Sequence, residues 1–115
     1  MKQEIKDKWV AALRSGEYKQ GKNRLRTDDT YCCLGVLCAV YSKETGNGNW
    51  GLIDGTFIDG EQIGMGVPPM SIVNWAEFNT PNPNPRIPSK ERSLAELNDK
   101  GFSFNEIADL IEKEL

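Results

Sequence analysis

The stretch Tyr31-Cys-Cys-Leu-Gly-Val-Leu-Cys-Ala-Val-Tyr41 is the most apolar part of this 115-residue chain. Its apolar residues cover nearly every side of a helix, which is typical of a helix buried at the centre of a protein. Asp28, Asp29 and Thr30 precede it, and all three are good helix-capping residues. We therefore predict a central helix over residues 31–43. Gly35 costs such a helix about 1 kcal/mol relative to alanine, which indicates the close approach of another backbone or of a ligand.

Both ends of the chain predict helices that can pack on this central one. Near the N-terminus, apolar residues recur at helical spacing and Gly16 provides a stop. That apolar face consists of Ile5, Trp9, Ala12 and Leu13. Near the C-terminus two capping boxes predict two successive helices, the first ending at Gly101. The boxes are Ser93 with Glu96, and Ser103 with Glu106; the last helix then has Phe104, Ile107, Ala108 and Ile111 on one face.

The middle of the chain predicts short strands and loops. Residues 50–53 and 56–58 flank Asp54-Gly55, which favours a β-hairpin with a tight turn, and Asp59-Gly60 predicts a second turn. Pro68-Pro69 predicts the start of a short helix, whereas residues 79–88 predict a stiff, extended, proline-rich loop. The expected fold is α+β, a small helical core with a short glycine-rich β-hairpin, in a single domain over residues 1–115.

The composition lowers the expectation of enzymatic activity. Histidine is absent, which removes the commonest general base and most zinc sites. The three cysteines are odd in number, with two adjacent, so we expect buried free thiols rather than a disulfide framework. We therefore expect no catalytic site, no metal and no cofactor. No apolar stretch reaches the length of a membrane span, and the polar N-terminus does not look like a signal peptide, so we expect a cytosolic protein without a membrane partner.

Charge is distributed unevenly along the chain. Residues 1–26 carry eight cations and three anions, or +5, and the remainder carries six cations and fourteen anions, or −8, which together give the net charge of −3. This asymmetry is compatible with an anionic partner on one face, and equally with two halves that neutralise each other in the fold. The segment 94–108 is similar to the first two helices of a helix-turn-helix, but the acidic last helix argues against DNA binding.

The candidate ligand-binding residues lie mainly in and after the basic segment Lys22-Asn-Arg-Leu-Arg-Thr27. Their guanidinium and ammonium groups suit phosphate or carboxylate, and neighbouring aromatic rings can stack on a planar group. The candidates are Lys22, Arg24, Arg26, Tyr31, Trp50 and Arg86, the last being the only charged residue of the proline-rich loop. The alternative interpretation is a solvated loop, and no spacing rule separates the two. The spacing of a nucleotide-binding phosphate loop is not present.

Several segments together resemble a family of small phage-encoded proteins of uncharacterised function. They are Trp9-Val-Ala-Ala-Leu-Arg-Ser-Gly16, Tyr18-Lys-Gln-Gly21, Leu25-Arg-Thr27, Tyr31-Cys-Cys-Leu-Gly-Val-Leu-Cys38, Leu94-Ala-Glu-Leu-Asn-Asp99 and Phe104-Asn-Glu-Ile-Ala-Asp-Leu-Ile-Glu112. The resemblance implies a binding role against a host enzyme or a host defence signal, and it assigns no catalytic or binding residue.

Three functions follow as expectations. The first is a non-enzymatic protein that captures an anionic small molecule, such as a nucleotide-derived defence signal. The second is an inhibitor or adaptor that binds a host protein through Trp50, Trp75 and the proline-rich loop. The third is a hydrolase that uses the carboxylates of Asp28 and Asp29, which the turn or cap context already explains without chemistry. Self-association into a homo-oligomer stays open in each case.

Overall fold

Helix α2, residues Cys33–Thr45, lies at the centre of the protein, as a computed structural model of residues 1–115 shows. The side chains of Leu34, Val36 and Leu37 are completely buried. Gly35 faces the backbone of Leu25 so closely that an added methyl group would overlap the Leu25 carbonyl oxygen. The prediction of a central helix is therefore confirmed, and close backbone packing explains the glycine.

Helix α1, Gln3–Arg14, and helix α5, Phe104–Glu114, pack on each other, and α1 also packs on α2. The indole N–H of Trp9 donates a hydrogen bond of 2.9 Å to the Cys33 carbonyl, which joins α1 to the first turn of α2. Val10 is buried in α1, whereas the predicted core residue Ala12 is half-buried. Both predicted capping boxes are present, at the start of α4, Leu94–Asp99, and at the start of α5.

Eight short strands form three small sheets. The strands are β1 Lys19–Gln20, β2 Arg26–Thr27, β3 Thr30–Tyr31, β4 Asn49–Trp50, β5 Phe57–Asp59, β6 Gln62–Gly64, β7 Arg86–Ile87 and β8 Arg92–Ser93. The first sheet has the order β1-β3-β2, with β1 parallel to β3; the second has the order β4-β5-β6; β7 and β8 form the third. With helix α3, Met70–Ala76, these elements make the α+β fold that the sequence predicts.

Three local predictions need correction. Helix α2 begins later than predicted and is capped by the Cys32 sulfur, which accepts from the Gly35 N–H, because Thr30 and Tyr31 are paired in β3. The connection between β4 and β5 spans residues 51–56 and is wider than a two-residue turn. The segment 79–88 is not wholly irregular, since Arg86–Ile87 pairs with β8.

Candidate functional site

Arg26 lies between the rings of Tyr31 and Trp50. Its guanidinium carbon is 5.4 Å from the centroid of the Tyr31 ring and 5.5 Å from that of Trp50, distances typical of cation–π contacts. The antiparallel pairing of β2 with β3 places Arg26 directly opposite Tyr31. The two rings meet edge-on, with their centroids 5.8 Å apart. Three of the six predicted ligand-binding residues are thus gathered into one cluster, which we call the Arg26 platform.

The Arg26 platform continues into the core through further aromatic contacts. Tyr18 packs edge-on against Tyr31 at 5.1 Å between centroids, and Trp50 packs edge-on against Phe57 at 5.0 Å. Phe57 is completely buried. Because edge-on packing of this kind restricts both rings, the platform rests on a rigid support.

The orientation of Arg26 is also fixed by the turn between β2 and β3. Its Nε donates a 2.9 Å hydrogen bond to the Asp28 carbonyl, and Asp28 adopts a left-handed conformation with φ of 53°. The Asp28 N–H in turn donates to a carboxylate oxygen of Asp54 at 3.2 Å. Asp28 and Asp29 therefore lie in a turn rather than at the predicted helix cap.

The other two cations of the basic segment, Lys22 and Arg24, have exposed side chains. Arg24 donates a hydrogen bond of 3.3 Å to the Asp54 carbonyl, and Lys22 makes no side-chain hydrogen bond. Neither of them, nor Arg26, is a member of any of the four ion pairs in the protein. Leu25, which lies between Arg24 and Arg26 in the sequence, is completely buried. No carboxylate therefore forms an ion pair with these three cations, although the carboxylates of Asp99 and Asp54 accept hydrogen bonds from the backbone N–H groups of Asn23 and Asp28.

Arg86 lies in a different part of the molecule. It is exposed on β7 and lines a cavity of about 420 Å³ together with Met1, Phe78, Asn79 and Glu114, among others. The structure therefore does not bring Arg86 together with the Arg26 platform. The platform itself is an open surface, because the principal cavities of the protein are lined by other residues.

Sequence reasoning missed an apolar groove on the outer face of the second sheet. The groove has a volume of about 450 Å³, and no charged residue lines it. Its lining residues are Gly51, Leu52, Ile53, Thr56, Ile58, Ile63 and Met65. Leu52 is fully exposed, and the exposed fractions of Ile53 and Ile63 are 69% and 66%. The signal in the sequence is the set of aliphatic residues in the predicted hairpin, but their spacing does not show which of them face water.

The three cysteines are buried and form no disulfide. Burial raises the pKa of the Cys33 and Cys38 thiols well above the ordinary value, so both remain protonated and unreactive at neutral pH. No group of three cysteine or carboxylate side chains is arranged to hold a metal ion. These thiols therefore belong to the packing of α2 rather than to a site.

One buried polar residue connects the basic segment to the core. Asn98 is completely buried; its oxygen accepts from the Cys33 N–H at 3.2 Å and from the Gln20 side chain at 2.9 Å. Its amide nitrogen donates to the Gly21 carbonyl at 2.8 Å. Through these paired polar groups Asn98 fixes the positions of Gln20 and Gly21, which precede the basic segment, relative to the start of α2.

Comparison with known proteins identifies the family of this chain but does not indicate an activity. The sequence model of a protein family described as "Domain of unknown function (DUF8296)" matches residues 1–115. No curated protein matches the chain, and no solved structure does. None of the helices combines the length and the apolar character needed to cross a bilayer.

Proposed function

We propose that this protein, which belongs to the DUF8296 family, is a non-enzymatic binding protein that captures an anionic small molecule on the Arg26 platform. The observation that carries the proposal is the guanidinium of Arg26, stacked on Tyr31 and Trp50 and paired with no carboxylate. A fixed, unpaired cation on an aromatic support is a suitable receptor for a phosphate or carboxylate.

The chemistry of the platform favours a nucleotide-like ligand. Arg26 uses only its Nε within the protein, so both terminal nitrogens are free to donate to anionic oxygens. Arg24 and Lys22 contribute further positive charge from the same segment of chain, and the half-buried rings of Tyr31 and Trp50 offer a surface on which a planar base can stack. Because the platform is open to solvent, its binding should weaken as ionic strength rises.

The biological setting that we propose follows from the resemblance to phage-encoded proteins. A nucleotide-derived signal of a host defence system carries both a phosphate and a planar base, which are the two groups that the platform suits. Sequestration in the host cytosol requires no catalytic group, and the contacts of the Arg26 guanidinium with the Asp28 carbonyl and the two aromatic rings suit a binding role.

Isothermal titration against nucleoside mono-, di- and triphosphates and cyclic nucleotides tests the proposal. We expect Arg26→Gln to weaken binding at least about tenfold, since a charge-assisted pair is worth roughly 1.5–3 kcal/mol. Lys113→Gln is the matched control, because it removes an exposed cation of α5 and should leave binding unchanged.

A thermal melt of each variant must accompany the titration to show that the fold is intact. Absence of heat with every ligand, together with unchanged melting temperatures in their presence, would contradict the proposal. Equal loss of affinity in the Arg26 and Lys113 variants would indicate a nonspecific charge effect. Loss of affinity in Arg86→Gln alone would indicate that the ligand binds in the cavity beside the chain termini instead.

The second candidate function is an inhibitor or adaptor that binds a host protein. Of the expected contact residues, Trp75 is half-buried and packs edge-on against Tyr41 at 5.1 Å, and Trp50 is half-buried within the platform. The observation that favours this function is instead the apolar groove, since exposed apolar patches mark protein contacts. A stoichiometric host protein recovered with the wild type and lost with a groove variant would support it over the first.

A further inference from the structure

The apolar groove carries opposite charges at its two ends. At one end, the Met65 carbonyl accepts a 2.7 Å hydrogen bond from the Leu25 N–H. This bond brings Arg24, the residue before Leu25, beside the groove. Arg24 is held there by its bond to the Asp54 carbonyl, on the loop that forms one wall. The carboxylate of Asp54 lies at the same end and accepts a hydrogen bond from the Asp28 N–H. At the other end, Glu61 lies exposed in the turn between β5 and β6 and makes no hydrogen bond or ion pair.

The spacing of these charges follows from the strand between them. Glu61 and Met65 are four residues apart along β6, or about 13 Å at the rise of an extended chain. Between them the lining is entirely uncharged, with Ile58 and Ile63 directly paired across β5 and β6. The uncharged lining is therefore flanked by Arg24 and the hydrogen-bonded Asp54 carboxylate at one end and by the free carboxylate of Glu61 at the other.

We propose that the occupant of this groove is a second copy of the same chain, related by a two-fold axis. In a two-fold contact the same patch of each protomer faces the other. If the two grooves run in opposite directions, Arg24 of each protomer meets the partner's Glu61, so both ion pairs form while the aliphatic residues are covered. Near a two-fold axis each residue faces its own copy in the partner. Because the groove lining is uncharged, no like charges meet there.

This arrangement explains why aliphatic side chains as large as Leu52 and Ile63 remain exposed on the isolated chain. Burial of such side chains is the main favourable contribution to association. Leu52 and Ile63 line the groove and are not part of the Arg26 platform, so substitutions at these two positions test self-association without removing a platform residue.

Sedimentation velocity of the full chain over a wide concentration range tests the proposal. We expect a monomer–dimer equilibrium, and we expect Leu52→Lys or Ile63→Lys to raise the dimer dissociation constant at least about thirtyfold, the effect of removing a central contact. Both side chains are exposed on the protomer, so circular dichroism and melting of the variants under monomeric conditions should match the wild type.

A charge exchange tests the relative orientation. Arg24→Glu and Glu61→Arg should each weaken the dimer about threefold to tenfold by placing like charges together, and the double variant should recover most of the loss. An unrelated or nonspecific contact would show no such recovery.

Three results would overturn the proposal. A monomer at every concentration would leave the groove to a different protein. A dimer unaffected by both lysine substitutions would place the contact on another face. A dimer that is weakened by the lysines but shows no recovery in the charge exchange would refute the antiparallel arrangement that identifies the occupant.

Discussion

Helix α2 and the groove on the second sheet are both rich in aliphatic side chains, but α2 buries them and the groove exposes them. Leu34 in α2 is completely buried, whereas Leu52 in the groove is fully exposed. Helix α2 is surrounded by α1, α4 and β3, while the β5–β6 hairpin has only one face on the core, through Phe57. Aliphatic content alone therefore does not predict stability; the α2 residues hold the fold, and the groove residues remain available for contacts.

The largest effect should come from Gly35→Ala. The added methyl group would overlap the Leu25 carbonyl oxygen, and this backbone cannot move without disturbing the Leu25 pairing to Met65 and Cys32. We expect a loss of about 4 kcal/mol in the free energy of unfolding, despite the better helix propensity of alanine. Urea denaturation measures it.

Gly101→Ala is the control for that substitution. Gly101 has a φ of 102° but nothing within contact distance of an added methyl group, so only backbone strain should appear, about 1 kcal/mol. Equal losses in the two variants would show that α2 is not packed against the Leu25 backbone as described.

A matched pair of leucine truncations compares the two regions directly. Leu34→Ala should cost about 3 kcal/mol because it opens a cavity in the core. Leu52→Ala should change the stability of the monomer by less than about 0.5 kcal/mol, since its side chain is already in water. Urea melts at low protein concentration measure both, and comparable losses would contradict the assignment of Leu52 to the surface.

A smaller effect than that of the core substitutions concerns a contact that joins the two regions. The Tyr41 hydroxyl of α2 donates a 2.7 Å hydrogen bond to the Asp59 carboxylate of β5. The pKa of Asp59 is lowered, chiefly by the neighbouring Ser71 hydroxyl and then by Tyr41, although the Ser71 hydroxyl makes no hydrogen bond of normal geometry. Since the folded protein binds the proton less readily than the unfolded chain, this stabilisation is present at neutral pH and is lost as pH falls through the folded pKa.

Asp59→Asn should therefore make stability less dependent on pH in the acid range. The difference from the wild type between neutral pH and about pH 3 should stay below about 1 kcal/mol, because the carboxylate is partly exposed. Melting temperatures at a series of pH values measure it; parallel curves for the two proteins would show that Asp59 does not link α2 to the hairpin.

The helices were predictable because their signals are local. The capping boxes at Ser93 and Ser103 and the apolar face of α5 involve residues three or four apart, which interact before any tertiary contact forms. The start of α2 was not predictable in the same way. Three good caps precede it, but the pairing of Thr30 and Tyr31 with β2 moves the cap to Cys32.

The candidate site was predictable only in part. The sequence indicated cations near aromatic residues, but the contact of Arg26 with Tyr31 and Trp50 depends on the register of β2 with β3 and on the position of the second sheet. The same sequence argument grouped Arg86 with them, whereas the fold places it beside Met1 and Glu114. Neighbours brought together across tens of residues leave no trace in local spacing.

The sequence by itself determined the α+β class, the central apolar helix and the capped C-terminal helices, because these depend on composition and on spacing within one or two turns. Which cation contacts the aromatic rings, which residue caps α2 and which aliphatic side chains face water all depend on the tertiary structure. The physical reason is that burial is a property of the neighbours that surround a side chain, and those neighbours come from distant parts of the chain.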